Sequence, residues 1–243
     1  MARRIHVSNV SVGELTLDER EAHHVRNVLR QEARTPVEAF DDAGHIGIGV
    51  LGTVTAGAVT IQVESIQAED ADGFRLIIAS AVPRGARADW MVEKLSELGV
   101  HTFIPIATDR SVSLPEGKGK LHRWQRLAEE AAKQSHRRGV MRIEPLSPLL
   151  PALAAALLAG EAWCFSTSPG SIPLSEKARD PAARVLTLFI GPEGGWSPSE
   201  TALFETSKIP SLSLTRTILR IETAAIAAAA VMLGKWKSEE VRK

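Results

Sequence analysis

Two charged residues near the carboxyl terminus, Arg220 and Glu222, stand at the start of a segment of small apolar residues. The segment from Ile221 to Val231 reads IETAAIAAAAV and predicts a tightly packed helix. Charged side chains at such a position should be paired or should contact a ligand, because burying an unpaired charge is costly. An arginine can stabilise an anion and a carboxylate can accept a proton, so the two residues suit acid–base chemistry. An ion pair of Glu222 with Arg220 or another neighbour is an equally good interpretation.

A glycine-rich loop, Gly191–Trp196, is the second candidate for chemistry. It follows the apolar run Val185–Ile190, which predicts a strand that is buried on both faces. Ser197, Pro198 and Glu200 then predict a capped helix start. Glycines let the backbone approach a ligand closely, and a helix amino terminus can hold an anion. The pattern is neither a P-loop nor GxGxxG, and a plain tight turn is the alternative.

A second unit of the same kind follows, with an apolar run at Ile209–Leu214 and a loop at Thr215–Arg220 before the alanine-rich helix. Helix and strand patterns alternate from Phe74 onward, which indicates an α/β domain with a parallel sheet. Ligands bind open α/β sheets at the carboxyl ends of the strands. Both loops should therefore lie at one ligand-binding edge.

The amino-terminal part of the chain has short β-like runs separated by turn residues. These are residues 37–40, 45–51 and 59–66. Their spacing predicts a small antiparallel barrel. A helical segment near Asp18–Arg30 precedes them, and its Arg26 and Arg30 lie four positions apart, so they should share one helix face.

The composition, with 44% apolar and 24% charged residues among 243, is typical of a soluble globular protein. An acidic break at Glu69–Gly73 predicts a boundary between two domains, residues 1–70 and 73–243. The single cysteine, Cys164, excludes an internal disulfide and fits a reducing cytosol. No secretory signal, membrane span or metal-ligand spacing is visible, so a cytoplasmic protein is expected.

The formal net charge of zero argues mildly against a nucleic-acid partner, but the charges are unevenly distributed. The stretch from Lys118 to Arg142 carries eight basic residues against two acidic ones. It indicates either a solvated helix face or a surface that contacts phosphates.

Several motifs resemble those of the RsmE family. IGPEGGWSPSE at Ile190–Glu200 and LTRTILRIETAAIAAAA at Leu214–Ala230 match the family's carboxyl-terminal signature. ELGV at Glu97–Val100 and EAHHVRNVLRQ at Glu21–Gln31 resemble further family segments. RsmE proteins are SPOUT-class methyltransferases that methylate N3 of one uridine in 16S ribosomal RNA.

The resemblance extends from about His23 to Val231 and has implications for fold and partners. It implies an α/β SPOUT domain with a trefoil knot and a parallel sheet, preceded by a small PUA-like β-barrel that binds RNA. It also implies S-adenosyl-L-methionine as cofactor and a homodimer that acts on 16S ribosomal RNA or the small ribosomal subunit. Neither a metal nor a membrane is implied.

The resemblance implies roles for individual residues as well. Arg220 would stabilise the N3 anion or bind a phosphate, and Glu222 or Glu193 would remove the N3 proton. The residues expected to bind the cofactor lie on three loops; they are Thr167, Ile190, Gly191, Glu193, Gly194, Gly195, Leu214, Thr217 and Leu219. The residues expected to contact RNA are all arginines; they are Arg26, Arg30, Arg84, Arg110 and Arg137.

Two positions of the loop before the last helix depart from the family pattern. Thr215 stands where the family commonly has a glycine, and Thr217 stands where it commonly has an arginine. These departures keep open the alternative of a catalytically silent RNA-binding protein. Methylation of another RNA position by the same fold is a second alternative.

Overall fold

The computed structural model describes residues 3–67, 73–115, 117–178, 180 and 182–240, without the side chains of residues 118 and 236–240. The chain forms two units. The amino-terminal unit comprises Met1–Ala71 and Ala132–Val140, and the carboxyl-terminal unit comprises Asp72–Ala131 and Met141–Lys243. Residues 68–72, on which most of the predicted acidic boundary falls, lie outside the described residues.

Residues 132–140 belong to the amino-terminal unit, although the sequence boundary assigns them to the second domain. Ala132 packs against Phe40 and Ile46 in a buried apolar cluster. Lys133 pairs with the buried Glu21 through a contact of 2.5 Å between Nζ and Oε1. Residues 132–140 therefore belong to this unit because of long-range packing, which no local sequence pattern indicates.

Five strands form the sheet of the amino-terminal unit. They are β1 (Arg3–His6), β2 (Gly13–Thr16), β3 (Pro36–Phe40), β4 (Ile46–Val54) and β5 (Val59–Gln67). Their order is β1-β3-β4-β5-β2, with β1 and β3 parallel and the other pairs antiparallel. Apolar residues such as Val37, Leu51 and Ile61 are fully buried in its core. The three β-like runs of the sequence correspond to β3, β4 and β5.

The helical segment of this unit is shorter than predicted and changes type along its length. Helix α1 (Glu19–His23) continues into a π-helical turn, His24–Val28, and Arg30 follows with a φ of +48°. Arg26 and Arg30 therefore do not share a helix face, and the expectation from α-helical spacing is wrong. The wider π-turn and the left-handed backbone at Arg30 end the α-helical repeat.

The sheet of the carboxyl-terminal unit has eight strands. They are β6 (Arg75–Ser80), β7 (Thr102–Ala107), β8 (Arg142–Ile143), β9 (Ser147–Pro148), β10 (Glu161–Phe165), β11 (Ile172–Pro173), β12 (Val185–Ile190) and β13 (Ser211–Ser213). The spatial order is β11-β13-β10-β12-β6-β7-β8, and β9 also pairs with β7. These strand pairs are parallel, which confirms the α/β prediction with a parallel sheet.

Five helices accompany this sheet in sequence. They are α2 (Ala86–Leu98), α3 (Lys118–Ser135), α4 (Leu149–Ala159), α5 (Pro198–Thr206) and α6 (Ile221–Glu240). Helix α6 packs against α2, β6 and β12, and its Ala225, Ala228 and Ala229 are fully buried. The small side chains predicted for this helix thus allow close packing on the sheet. In the part of the chain that the structure describes, no helix is both long and apolar enough to cross a bilayer.

Strand β12 lies at the centre of the parallel sheet. It pairs with β6 on one side and with β10 on the other. Leu186, Leu188 and Phe189 are fully buried, as predicted for a strand covered on both faces.

On β10, burial raises the pKa of the Cys164 thiol to about 11, so the thiol is protonated at neutral pH.

The buried carboxylate of Asp41 should stabilise the amino-terminal unit. It accepts hydrogen bonds from the backbone amides of Val10 and His45 and from His45 Nδ1, each at 3.0 Å. Although burial alone would raise the pKa of Asp41, these hydrogen bonds hold it below its ordinary value. The stability that the ionised form supplies is therefore present above about pH 4 and is lost as the pH falls through the lowered pKa.

We expect Asp41→Asn to lower the free energy of unfolding by about 1–3 kcal/mol at pH 7. The difference in free energy of unfolding between the wild type and the variant should shrink in urea unfolding curves recorded at successively lower pH, because the wild-type carboxylate then becomes protonated. Asp42→Asn is the matched control, since the Asp42 side chain is 71% exposed and its contact with His6 Nε2 lies at the surface. If this difference in free energy of unfolding is the same at pH 7 and below pH 4, the prediction is wrong.

Candidate functional site

A cavity of about 400 Å³ lies at the carboxyl ends of β10 and β12, and we call it the glycine-loop cavity. Its walls come from the loops after β10, β12 and β13 and from the start of α6. Its volume falls within the range of about 300–1,000 Å³ that is typical of small-molecule sites. The residues predicted to bind the cofactor all line it; they are Thr167, Ile190, Gly191, Glu193, Gly194, Gly195, Leu214, Thr217 and Leu219. The structure thus brings the three predicted loops together.

The glycine-rich loop Gly191–Trp196 has a path that favours glycine at two points. A Cβ on Gly191 would lie 3.0 Å from the indole ring of Trp196, and Gly195 has a φ of +68°. Trp196 Nε1 donates to the carbonyl oxygen of Phe165 at 2.8 Å, which ties the loop to the end of β10. The loop is therefore more than a plain turn, because its backbone also forms a wall of the cavity.

The start of α5 carries the predicted capping box. Ser197 Oγ accepts from the amide of Glu200 at 3.2 Å, and Glu200 Oε2 accepts from the amide of Ser197 at 2.8 Å. A second carboxylate, that of Asp109, accepts from Ser197 Oγ at 2.6 Å and from Ser199 Oγ at 3.0 Å.

This helix start is a poor site for a phosphate, one of the ligands that a glycine-rich loop before a helix can hold. Two protein carboxylates already occupy it, and they would repel a phosphate. Hydrogen bonds from Ser197 and Ser199 hold the pKa of Asp109 below its ordinary value. The site therefore favours a ligand without a phosphate group.

The three predicted catalytic residues do not converge. Glu193 is exposed and lines the glycine-loop cavity, whereas Arg220 and Glu222 are not among its lining residues. The Arg220 side chain is exposed and has no hydrogen-bond or ion-pair partner among the described residues. Its guanidinium is therefore available for a ligand from outside the chain.

Glu222 forms an ion pair, but its partner is Arg87 rather than Arg220. The residue is only 4% exposed, and its Oε1 lies 3.5 Å from Arg87 Nη1. Its Oε2 is buried and accepts no hydrogen bond from the described part of the chain. Glu222 thus forms a structural ion pair with a specific partner. The sequence does not predict this partner, because Arg87 lies on a different helix.

The departures at Thr215 and Thr217 are accommodated by local hydrogen bonds. Thr215 Oγ1 donates to the carbonyl oxygen of Thr217 at 2.8 Å and accepts from its amide at 3.3 Å. Thr215 is not among the described residues with a positive φ, so a threonine fits there without backbone strain. Both threonines line the glycine-loop cavity.

The five predicted RNA-binding arginines are divided between the two units. In the amino-terminal unit, the Arg26 guanidinium donates to the carbonyl oxygens of Thr55 and Ala56 in the β4–β5 turn. The other two predicted RNA-binding arginines in that unit are the exposed Arg30 and the half-buried Arg137.

In the carboxyl-terminal unit, the exposed Arg84 has one long contact, 3.5 Å from Nη2 to the carbonyl oxygen of Val112. Arg110 contacts the glycine-rich loop, since its Nη1 donates to the carbonyl oxygens of Gly194 at 2.6 Å and Trp196 at 3.4 Å. Arg110 therefore belongs to the wall of the cavity, a placement that sequence reasoning misses.

The basic stretch of the sequence is partly neutralised within the chain. Three of its cations pair with carboxylates: Arg123 with Asp89 at 2.8 Å, Lys133 with Glu21 at 2.5 Å and Arg142 with Glu144 at 3.0 Å. These pairs favour a solvated, internally paired surface for this part of the stretch. Arg126 is exposed and remains a candidate for phosphate contact.

Removing Arg87 should destabilise the protein, because it leaves the Glu222 carboxylate buried without a counter-charge. We expect Arg87→Met to lower the free energy of unfolding by about 1–3 kcal/mol in urea unfolding at pH 7. Adding Glu222→Gln should recover most of the loss, since the buried charge is then gone. Arg84→Met, at a nearby exposed arginine, is the control. Equal stability of wild type and Arg87→Met would refute the ion pair as a stabilising contact.

Comparisons with known proteins agree with this architecture. A family model described as RNA methyltransferase domain matches residues 71–233. Ribosomal RNA small subunit methyltransferase E from Bacillus subtilis is 28% identical over 221 residues, which cover 84% of this chain and 83% of that protein. The protein of that name from Synechocystis is 28% identical over 240 residues, covering 92% and 75% respectively.

The same similarity is seen among solved structures. A crystal structure of ribosomal RNA small subunit methyltransferase E from Neisseria gonorrhoeae, bound to S-adenosyl methionine, is 26% identical. It superposes with a TM-score of 0.86 over 97% of this chain and 98% of that one. The chain therefore belongs to the RNA methyltransferase domain family as an RsmE member, which confirms the family predicted from its carboxyl-terminal motifs.

Proposed function

We propose that this protein transfers a methyl group from S-adenosyl-L-methionine to N3 of a specific uridine in 16S ribosomal RNA of the small ribosomal subunit. The observation that carries the proposal is the glycine-loop cavity, which is lined by all nine residues predicted to bind the cofactor. Relatives named as small-subunit ribosomal RNA methyltransferases, similar along most of this chain, support the substrate class.

The residues of the cavity fit S-adenosyl-L-methionine. The cofactor, when bound, supplies an electrophilic methyl group on a cationic sulfonium, and it carries no phosphate. Asp109 and Glu200 at the adjacent helix start would repel a phosphorylated nucleotide but not this cofactor. Backbone groups of Ile190–Gly195 and Leu214–Leu219 would hold the nucleoside, and apolar side chains such as Ile218 line the same space.

The chain's own residues would then position the uridine and manage its proton. Holding a nucleophile in line with an electrophile supplies roughly 7–11 kcal/mol of catalysis. Glu193 is the better of the two candidate bases, because it lines the cavity while Glu222 is buried against Arg87. Arg220, exposed at the entry to α6, would stabilise the N3 anion or bind an RNA phosphate.

Residues 1–70, the larger part of the amino-terminal unit, would form a PUA-like barrel that holds RNA, and residues 73–243 would form the knotted SPOUT domain. The five-stranded sheet of the amino-terminal unit supports the first assignment. For the knot, support comes from the order of the parallel sheet, in which β12 lies between β6 and β10. The predicted arginines Arg26, Arg30, Arg84 and Arg137, with the exposed Arg126, are the candidates for RNA contact.

A cytoplasmic homodimer is part of the proposal. Helices α2 and α6, which pack together, carry large apolar side chains on the surface, with Trp90 47% and Val231 41% exposed. Such residues are suited to a subunit interface, where a second copy of the chain would cover them.

Cofactor binding is the first test. Isothermal titration of the wild-type protein with S-adenosyl-L-methionine should give a dissociation constant in the micromolar range. Gly194→Val should abolish binding, because a Cβ there already lies 3.3 Å from Arg110 Cδ and a branched side chain would enter the cavity. Gly57→Val is the control, since a Cβ there meets nothing within 4 Å. No binding by the wild type would favour the catalytically silent RNA-binding protein instead.

Arg220→Ala should abolish methylation of small ribosomal subunits, with a loss of at least about 100-fold in kcat. Its melting temperature should equal that of the wild type, because the exposed guanidinium has no partner among the described residues. Arg75→Ala is the matched control, since Arg75 is exposed at the amino-terminal end of β6. Full activity of Arg220→Ala would remove this residue from the mechanism.

A further inference from the structure

The short segment Thr108–Ser111, which follows β7, forms a hydrogen-bonded turn beside the glycine-loop cavity. The amide and the hydroxyl of Thr108 both bond Ser111 Oγ at 2.9 Å, and the amide of Ser111 donates to the carbonyl oxygen of Thr108 at 3.1 Å. The two residues inside this turn, Asp109 and Arg110, are thereby presented in fixed positions.

Asp109 links the turn to the start of α5 in both directions. Its amide donates to Glu200 Oε1 at 2.9 Å, and its Oδ2 accepts from Ser197 Oγ and Ser199 Oγ. Glu200 is 6% exposed, so this contact is shielded from water. The glycine-rich loop ends where α5 begins, and its carboxyl-terminal end is therefore anchored to Asp109.

Arg110 links the same turn to the middle of the glycine-rich loop. Its Nη1 donates to the carbonyl oxygens of Gly194 and Trp196, and charged donors make stronger hydrogen bonds than neutral ones. The aliphatic stem packs where a side chain at position 194 would begin, since a Cβ on Gly194 would lie 3.3 Å from Arg110 Cδ. Trp196 in turn is bonded to Phe165, so the loop is held from both sides.

We propose that Asp109 and Arg110 are positioning residues that hold the glycine-rich loop in the conformation that binds the cofactor, and that Arg110 serves the cofactor rather than RNA. This inference rests on the proposed cofactor. A loop with three glycines has many accessible conformations, and ordering it on binding would cost affinity. Fixing the loop in advance removes that cost, so the two residues act on cofactor affinity without having to contact RNA.

The two possible roles of Arg110 lead to different experimental results. If Arg110 binds an RNA phosphate, its removal raises KM for the small subunit and leaves cofactor affinity in the absence of RNA unchanged. If Arg110 positions the loop, its removal weakens cofactor binding with no RNA present and leaves KM for the small subunit unchanged.

The experiment is isothermal titration of S-adenosyl-L-methionine into the full chain without RNA, followed by steady-state kinetics with small subunits. Arg110→Ala and Asp109→Asn should each raise the dissociation constant by about tenfold, the loss expected for one charge-assisted hydrogen bond. Arg110→Lys should restore part of the affinity, because it keeps one charged donor. Arg75→Ala is the control, and circular dichroism checks that each variant is folded.

A double-variant cycle tests the geometry itself. Gly194→Ala should weaken cofactor binding in the wild-type background, where the new methyl group meets the Arg110 stem. In the Arg110→Ala background the stem is absent, so the same substitution should have a smaller effect. Equal effects in both backgrounds would overturn the packing argument.

The outcomes distinguish this inference from the proposed function. Weakened binding by Arg110→Ala with an unchanged KM for small subunits supports the positioning role. Unchanged cofactor affinity with a raised KM for small subunits overturns it and returns Arg110 to the RNA interface. Absence of cofactor binding by the wild type overturns the proposed function and this inference together.

Discussion

The pairing of β12 on both of its edges is the constraint on which the site depends. The strand is hydrogen-bonded to β6 and β10, and its side chains are buried on both faces. A slip of one residue would turn every side chain to the opposite face, so the register of such a strand is strongly specified. The position of Gly191 at the carboxyl end of β12 is therefore well defined, and the loops after β10 and β13 lie beside it.

The charges near the glycine-loop cavity are used mainly to shape its walls. Asp109, Arg110 and Glu200 all make hydrogen bonds to the glycine-rich loop or to the helix that follows it. The wall combines glycine, serine and threonine residues with apolar side chains such as Ile190 and Leu219, which suits a nucleoside. The hydrogen bonds of Asp109, Arg110 and Glu200 explain how a loop with three glycines can form a defined surface.

Local sequence patterns were sufficient for the elements that carry the site. The apolar run Val185–Ile190 predicts β12, and the Ser197 and Glu200 spacing predicts the capping box of α5. These signals arise within a few residues, where periodicity and capping chemistry are decisive. The nine cavity residues followed from the same reasoning combined with the family motifs, since loops after parallel strands lie at one edge.

Contacts between distant residues could not be predicted in the same way. Arg110 and Gly194 are 84 positions apart, and Asp109 and Ser197 are 88 apart. Arg87 gives no local sign that it will meet Glu222. The π-helical turn was missed for another reason, because a single inserted residue in a helix leaves the apolar pattern nearly unchanged.

The contact between Gly191 and Trp196 has a consequence for the evolution and redesign of the protein. The indole ring occupies the volume that a side chain at position 191 would need, so the two positions share one space. Substitutions at these positions should covary among homologues, with a larger residue at 191 accompanied by a smaller one at 196. For a protein engineer, the tryptophan is therefore the first residue to replace when the cavity must accept a bulkier cofactor analogue.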